Sequence, residues 1–378
     1  MTHWVLFRKV GRKLGSYADR LSSTAVRLPK RLLAEPVARL IGSTVIGIRN
    51  PDKVKRDKPH ILILRNQFYS RKSMQISTEV MHLDNTLITS GLATFEVLTY
   101  DRDFLISPLS DLQLIEKCQE IKPDAIILSS WRMMAPQHPS IHSFKFIRER
   151  FGIPIAVIWW DTCSESFWKS LQPVIKKFDV HVIVDNPTLQ YTDKKAPLFH
   201  RLLPLWPPQD ENLFKPSITR DIPVSFFGQA SSYRSYRTEV IEHLIEMKVP
   251  GRFSTSDRDG QVTHATYADL MGRSRISLNF SRSVTCHQLK SRVMEIMFSG
   301  ALLLESENEQ TSKLFVPMKD FVPFKSKEDL VDKIRYYLDH EDEMTAIAKQ
   351  GRATATRHYN SSCFWRLLLG KLKLIESE

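Results

Sequence analysis

The stretch Lys290-Ser291-Arg292-Val293-Met294-Glu295-Ile296-Met297-Phe298-Ser299-Gly300 gathers two cations and a carboxylate within a few residues. Its spacing predicts a short helix. Leu289, Val293, Ile296 and Met297 fall on one face, and Ser291, Arg292, Glu295 and Ser299 on the other. Gly300 can end the helix in a left-handed conformation, and Ala301-Leu302-Leu303-Leu304 follows as an apolar strand. A carboxylate beside cations at the edge of an α/β sheet suits a ribose and a diphosphate. The carboxylate accepts hydroxyl hydrogen bonds and the cations hold the phosphates. An ordinary amphipathic helix with a solvated polar face fits the same pattern.

Other candidates stand just after predicted strands, where doubly wound sheets bind ligands. Strand 224–228 ends at Gly228, and a helix carrying Arg234 and Arg237 in its first turn follows. Two cations there oppose the helix dipole unless an anion is near, and a diphosphate would be that anion. Arginines reaching past the turn into water account for the pattern equally well. Strand 153–159 delivers Trp160 and Asp161. Asp161 is a candidate base for an acceptor hydroxyl, or a helix N-cap. Trp131 and Asp185 follow other strands and are candidates for the same cleft, with Trp160 packing on a sugar face. The triplets Asp101–Asp103 and Asp257–Asp259 have the form of a divalent-metal motif, but no metal is expected. No phosphate-binding P-loop, serine-nucleophile elbow or zinc spacing is present.

The elements that must position these residues alternate. Apolar runs at 61–64, 95–99, 125–128, 153–159 and 180–184 are separated by segments of helix length. A proline-rich stretch, 204–223, interrupts the pattern. It then restarts with strand 224–228, helix 232–247, strand 276–280, helix 288–298 and strand 301–304. Helices near 327–338 and 341–350 follow, and Phe364 to Ile375 is a last helical stretch. Such alternation predicts two parallel-sheet α/β units.

The chain has 378 residues, a net charge of +12 and 42% hydrophobic residues, which suits two soluble domains. Residues 1–58 hold 14 lysines and arginines against four acids, so nearly all the excess charge lies there. Leu6, Val10, Leu14, Tyr17 and Leu21 recur at helical spacing among those cations, with Trp4 and Phe7 beside them. This basic amphipathic arm could lie on an anionic membrane or pack on its own protein. The neutral body gives no expectation of nucleic-acid binding. No run long enough to span a membrane and no signal peptide is expected, and the four scattered cysteines predict no disulfide. Together these point to a cytoplasmic protein, with attachment to the inner membrane face as one option.

From Pro223 onward the chain resembles the C-terminal domain of GT-B-fold glycosyltransferases, specifically the spore-protein CgeB/YkvP-like group. The segments that carry this are Leu203-Pro204-Leu205 to Phe214-Lys215-Pro216, Asp221 to Gly228 and Arg273-Ser274-Arg275-Ile276-Ser277-Leu278-Asn279-Phe280. The Glu295 helix, Lys327 to Leu338 and Ile347 to Gly351 complete the order. The resemblance implies a GT-B-like α/β fold of two Rossmann-like domains facing a cleft. Their expected bounds are an arm at 1–58, an acceptor domain at 59–203, a linker at 204–223, a nucleotide-sugar domain at 224–360 and a returning helix at 361–378. It implies transfer of a sugar from a nucleotide-sugar donor to a glycan, lipid or protein acceptor, without metal or other cofactor. Glu295 would bind the ribose, with Gly228, Arg234, Arg237, Lys290 and Arg292 around the phosphates. Many GT-B enzymes carry a second glutamate eight residues upstream of this one; here that residue is His287. A non-catalytic GT-B-fold binding or scaffold protein is the alternative.

Overall fold

The computed structural model describes residues 54–70, 73–101, 103, 107–129, 138–196, 199–228, 235–255, 262–280 and 287–376. The arm up to residue 53, Trp131, Arg234 and the triplet at 257–259 therefore lie outside the described residues.

Eight strands belong to the first half of this body: β1 (His60–Arg65), β2 (Phe68–Ser70), β3 (Ser73–Ile76), β4 (Thr94–Thr99), β5 (Ala125–Ser129), β6 (Ile155–Trp159), β7 (Val180–Ile183) and β8 (Leu202–Pro204). Six of them form a sheet in the order β4-β1-β5-β6-β7-β8, and every pairing in it is parallel. β2 and β3 form a separate antiparallel hairpin that extends from the end of β1. Helices such as Ser107–Ile121 and Ile141–Phe146 join successive strands. Covered on both faces, Ile61, Leu62, Ile63 and Leu64 are wholly buried. That is why β1 reads as an unbroken apolar run and does not alternate.

The second sheet has five parallel strands, ordered β10-β9-β11-β12-β13. They are β9 (Ile222–Gly228), β10 (Arg252–Thr255), β11 (Ser274–Asn279), β12 (Leu302–Ser306) and β13 (Val322–Phe324). One face packs Val224, Phe226, Ile276 and Leu304 against Val240, Leu244, Leu330 and Ile347 of the surrounding helices. The other face joins a core that continues into the first sheet through Leu205, Trp206 and Phe214 of the connecting segment.

The final helix, Ser361–Lys371, returns to the first half. Asn360 caps it, accepting the Cys363 amide at 2.8 Å. Its Trp365 is fully buried and donates through Nε1 to Thr86 Oγ1 at 2.9 Å. Phe364, Leu368 and Leu369 are buried beside it.

Several expectations need correction. β8 and the start of β9 reach into the segment read as linker, because Leu202–Pro204 pairs with β7 and Ile222 with β11. The helix expected to stop near Gln350 runs as Glu341–His358. Gly351 sits inside it because a Cβ there would lie 2.2 Å from the Asp320 carbonyl oxygen. Cys163 is disulfide-bonded, against the expectation of reduced cysteines throughout. Among the described residues no helix is long and apolar enough to cross a membrane.

Candidate active site

The C-terminal ends of both sheets' strands bring chemistry-bearing residues together, joined where Gln288 meets Asp161 and Asp185. On the second sheet, β9 ends at Gly228, β11 at Asn279, and β12 carries Glu305 near its end. The helix Ser291–Ser299 stands beside them, ended by Gly300 at φ +67° as its sequence predicts.

Arg292 is the centre of this group. Its guanidinium lies 5.0 Å from the Phe226 ring centroid, and Nη1 donates to Asn279 Oδ1 at 3.2 Å. A Cβ on residue 228 would sit 2.4 Å from Arg292 Nη2, so glycine is what lets the guanidinium cross the end of β9. Asn279 in turn donates to Glu305 Oε1 at 2.9 Å, and Asn308 donates to the same oxygen at 3.3 Å. Glu305 is wholly buried.

Glu295 lies one turn further along the helix. It was expected on the polar line of the helix, with a solvated face as the alternative, but the residue is only 5% exposed and Ser299 is fully buried. That line faces the neighbouring helix His264–Gly272, whose Tyr267 donates its hydroxyl to Glu295 Oε2. Burial raises the Glu295 pKa, opposed by the Arg292 charge and the Tyr267 hydrogen bond.

Arg237 lies at the same strand ends, over the Phe226 ring that Arg292 also faces. It is buried, donates through Nη2 to the Phe280 carbonyl at 3.1 Å, and lies over the rings of Phe226 and Phe280. Its guanidinium thus ties β11 to the helix Ser235–Glu246.

The first sheet supplies the facing residues. Asp161, in the left-handed region at φ +56°, follows β6. It does not cap the next helix, whose N-cap is Ser164. Gln288 Nε2 donates to Asp161 Oδ1 at 3.1 Å and to Asp185 Oδ2 at 3.0 Å, and Lys290 Nζ is 3.6 Å from Asp161 Oδ1. Asp185 is buried and accepts the Thr162 amide at 2.8 Å and the Thr162 hydroxyl at 2.5 Å. Burial pushes its pKa up to about 6, held down in part by those two bonds. Leu289 N donates to the Asp185 carbonyl at 2.8 Å, and Thr188 and Gln310 exchange two hydrogen bonds. Trp160 donates from Nε1 to Ser129 Oγ at 3.2 Å, and its ring lies 5.0 Å from that of His82.

Of the predicted site residues, Gly228, Lys290, Arg292, Glu295, Trp160, Asp161 and Asp185 therefore sit at strand ends or on the helix beside them. Asn279, Gln288, Glu305 and Tyr267 were missed. The first ends β11 and the third is the penultimate residue of β12, a positional signal carried by the strand termini. Asp101 and Asp103 are occupied as structural acceptors: Asp101 takes the amides of Gln67 and Phe68, and Asp103 that of Thr99. Among the described residues no group of three His, Cys, Asp or Glu could hold a metal ion.

Residues 213–369 match the family model described as glycosyl transferase-like. No curated protein matches the chain. Solved structures do. HepE of Anabaena, crystallised with UDP-glucose, has a TM-score of 0.57 at 11% identity, covering 84% of this chain and 100% of its own. Sucrose-phosphate synthase of Thermosynechococcus elongatus gives 0.57 at 11%, covering 84% and 99%. A glycosyltransferase of Rickettsia africae gives 0.56 at 12%, covering 85% and 100%. The chain thus has the fold of the GT-B glycosyltransferases, two parallel-sheet α/β domains, and its second half carries the segment that matches a glycosyl transferase-like family.

Proposed function

We propose that this protein transfers a sugar from a nucleoside-diphosphate sugar to a hydroxyl of a glycan, lipid or protein acceptor. The observation that carries the reading is the cluster of Glu295, Arg292 and Gly228 at one sheet's strand ends, facing Trp160, Asp161 and Asp185 at the other's. Glu295, bonded to the Tyr267 hydroxyl, would accept the ribose hydroxyls. Gly228 leaves room for a phosphate to approach backbone, and Arg292 and Lys290 would neutralise the departing diphosphate. HepE was solved with UDP-glucose, so UDP sugars are the first donors to test. Within the GT-B enzymes, the ordered segments from Leu203 to Gly351 favour the CgeB/YkvP-like group.

Calorimetry with UDP, GDP and ADP, and UDP release from UDP-glucose, test the proposal. Selective UDP binding with slow release is expected. Binding without release would leave a nucleotide-sugar-binding scaffold, and no binding would refute both readings. The chain's own cations are proposed to do the electrostatic work, so EDTA should leave UDP release intact. Loss of turnover restored by Mn²⁺ would overturn that part.

A further inference from the structure

Glu79 belongs to none of the groups above. It lies at the start of the helical segment that follows the β2–β3 hairpin, where Ser77 Oγ accepts its amide at 3.2 Å. Its Oε2 accepts the amide of Asn66, the residue after β1, at 2.6 Å. The Ser129 hydroxyl, at the end of β5, hydrogen-bonds to it, and Ser129 Oγ is also the acceptor of Trp160 Nε1. A carboxylate is thus joined through one hydroxyl to the indole beside Asp161. The residue keeps some surface open to solvent.

The charges around Glu79 are otherwise committed. Arg65 donates to Asp84 at 2.8 Å, to the Asn66 carbonyl at 3.0 Å and to Gln67 at 3.1 Å. Asp101 holds two backbone amides. Tyr100 is a buried phenol with its pKa raised, and His82 is kept neutral by burial, its pKa pushed down to about 4. Burial likewise pushes the Glu79 pKa up to about 7, against the hydrogen bonds of Asn66 and Ser129 and the field of Arg65. Asp161, by contrast, has an 83% exposed side chain and already faces Lys290 and Gln288.

We infer that Glu79, and not Asp161, takes the proton from the acceptor hydroxyl. The inference rests on the glycosyl-transfer reading. In the step, the acceptor oxygen bonds to the anomeric carbon as that carbon's bond to the diphosphate oxygen breaks. The electron pair leaves with the nucleoside diphosphate, and the acceptor proton moves to the Glu79 carboxylate. Asp161 serves as the cross-cleft partner of Lys290 and Gln288.

The full chain carrying Glu79→Gln keeps an oxygen for the Asn66 amide, so it should fold. UDP affinity and UDP release from UDP-glucose, with water as the hydroxyl acceptor that takes the glucosyl group, are measured from pH 5 to 9. Wild type should show release rising with pH through about 7, because the carboxylate is the active form. E79Q should bind UDP within about twofold of wild type, lose release by about 100-fold, and lose the rising limb. E79D should keep the limb at a reduced rate, and D161N should keep it at an unchanged midpoint. Wild-type rate and limb in E79Q, or loss of the limb in D161N alone, would overturn the assignment. So would UDP affinity and thermal stability falling together in E79Q, which marks a structural role, or a wild type that binds UDP but never releases it from UDP-glucose. A wild type that binds no nucleotide defeats the transfer reading instead.

Discussion

Arg292 lies across the end of β9 because position 228 has no side chain. Gly228→Ala would drive a methyl group into a guanidinium, the mobile end of a long side chain. The fold should therefore survive while the cation shifts, and UDP affinity should fall about 10-fold by calorimetry with little change in Tm. Glu295→Ala should cost roughly 1.5–3 kcal/mol of UDP binding, the usual scale for hydrogen bonds to a charged group. It also strands the buried Tyr267 hydroxyl, so a lower Tm should accompany it, and unchanged UDP affinity would remove Glu295 from the site. The place of Glu295, on a helix that Gly300 ends before an apolar strand, was legible. Its burial was not, because helical periodicity separates two faces without saying that the polar one meets a second helix. Arg237 shows the same limit: a first-turn arginine can face an anion or fold back on Phe226 and Phe280, and spacing does not distinguish them.

Among the elements, those with long apolar runs were legible, the edge strand β4 included, and the shortest edge strands were not. β8, β10 and β13 are all edge strands of three or four residues. β8 and β13 each contain a proline, which an edge tolerates because one side of the strand needs no amide donor. Short, polar or proline-bearing segments leave little pattern to read. The buried interior of the first sheet also hides a titrating group. Trp159 Nε1 donates to His181 Nδ1 at 3.0 Å, and the His181 Nε2–H faces the Ile175 carbonyl at 3.0 Å, so the neutral ring is satisfied on both sides. Burial pushes its pKa down to about 4. The stabilisation is present above the ordinary histidine pKa and is lost as pH falls toward 4. His181→Leu should destabilise the protein by about 1–3 kcal/mol at pH 7, since it orphans the Trp159 donor. That deficit should shrink by about 2 kcal/mol at pH 5, where only wild type bears the cost of a buried neutral histidine. Urea titrations at the two pH values check it, and a pH-independent deficit would refute it.

At the scale of the whole molecule, the body begins before residue 58, the bound read from charge alone. Arg56 donates to the Ile121 and Lys122 carbonyls at 2.7 and 3.0 Å, and Lys58 to that of Gly91. A deletion meant to remove only the arm should stop at residue 53. We expect such a variant to stay folded and to keep UDP binding, and to lose affinity for vesicles of anionic lipid, at about 1 kcal/mol per engaged cation. Sedimentation with vesicles at low and high salt measures this; full-length protein that stays in the supernatant at low salt would refute a membrane role for the arm. The overall two-sheet plan was legible because parallel sheets covered on both faces write themselves as separated apolar runs. How the halves meet was not, since Gln288, Gln310 and Thr188 are ordinary polar residues until the fold sets them opposite partners.

The returning helix, Ser361–Lys371, has a consequence for how the protein is made. A ribosome delivers the first sheet early, yet Trp365, Phe364, Leu368 and Leu369 that complete its packing are translated only after the whole second sheet. The nascent first half must therefore wait, with Thr86 and its apolar neighbours uncovered, while the whole second half is synthesised. A message that ends at codon 360 would yield a chain with an intact second sheet and an open first one. Such a product offers chaperones and proteases an apolar strip where the finished protein has an indole and a hydrogen bond.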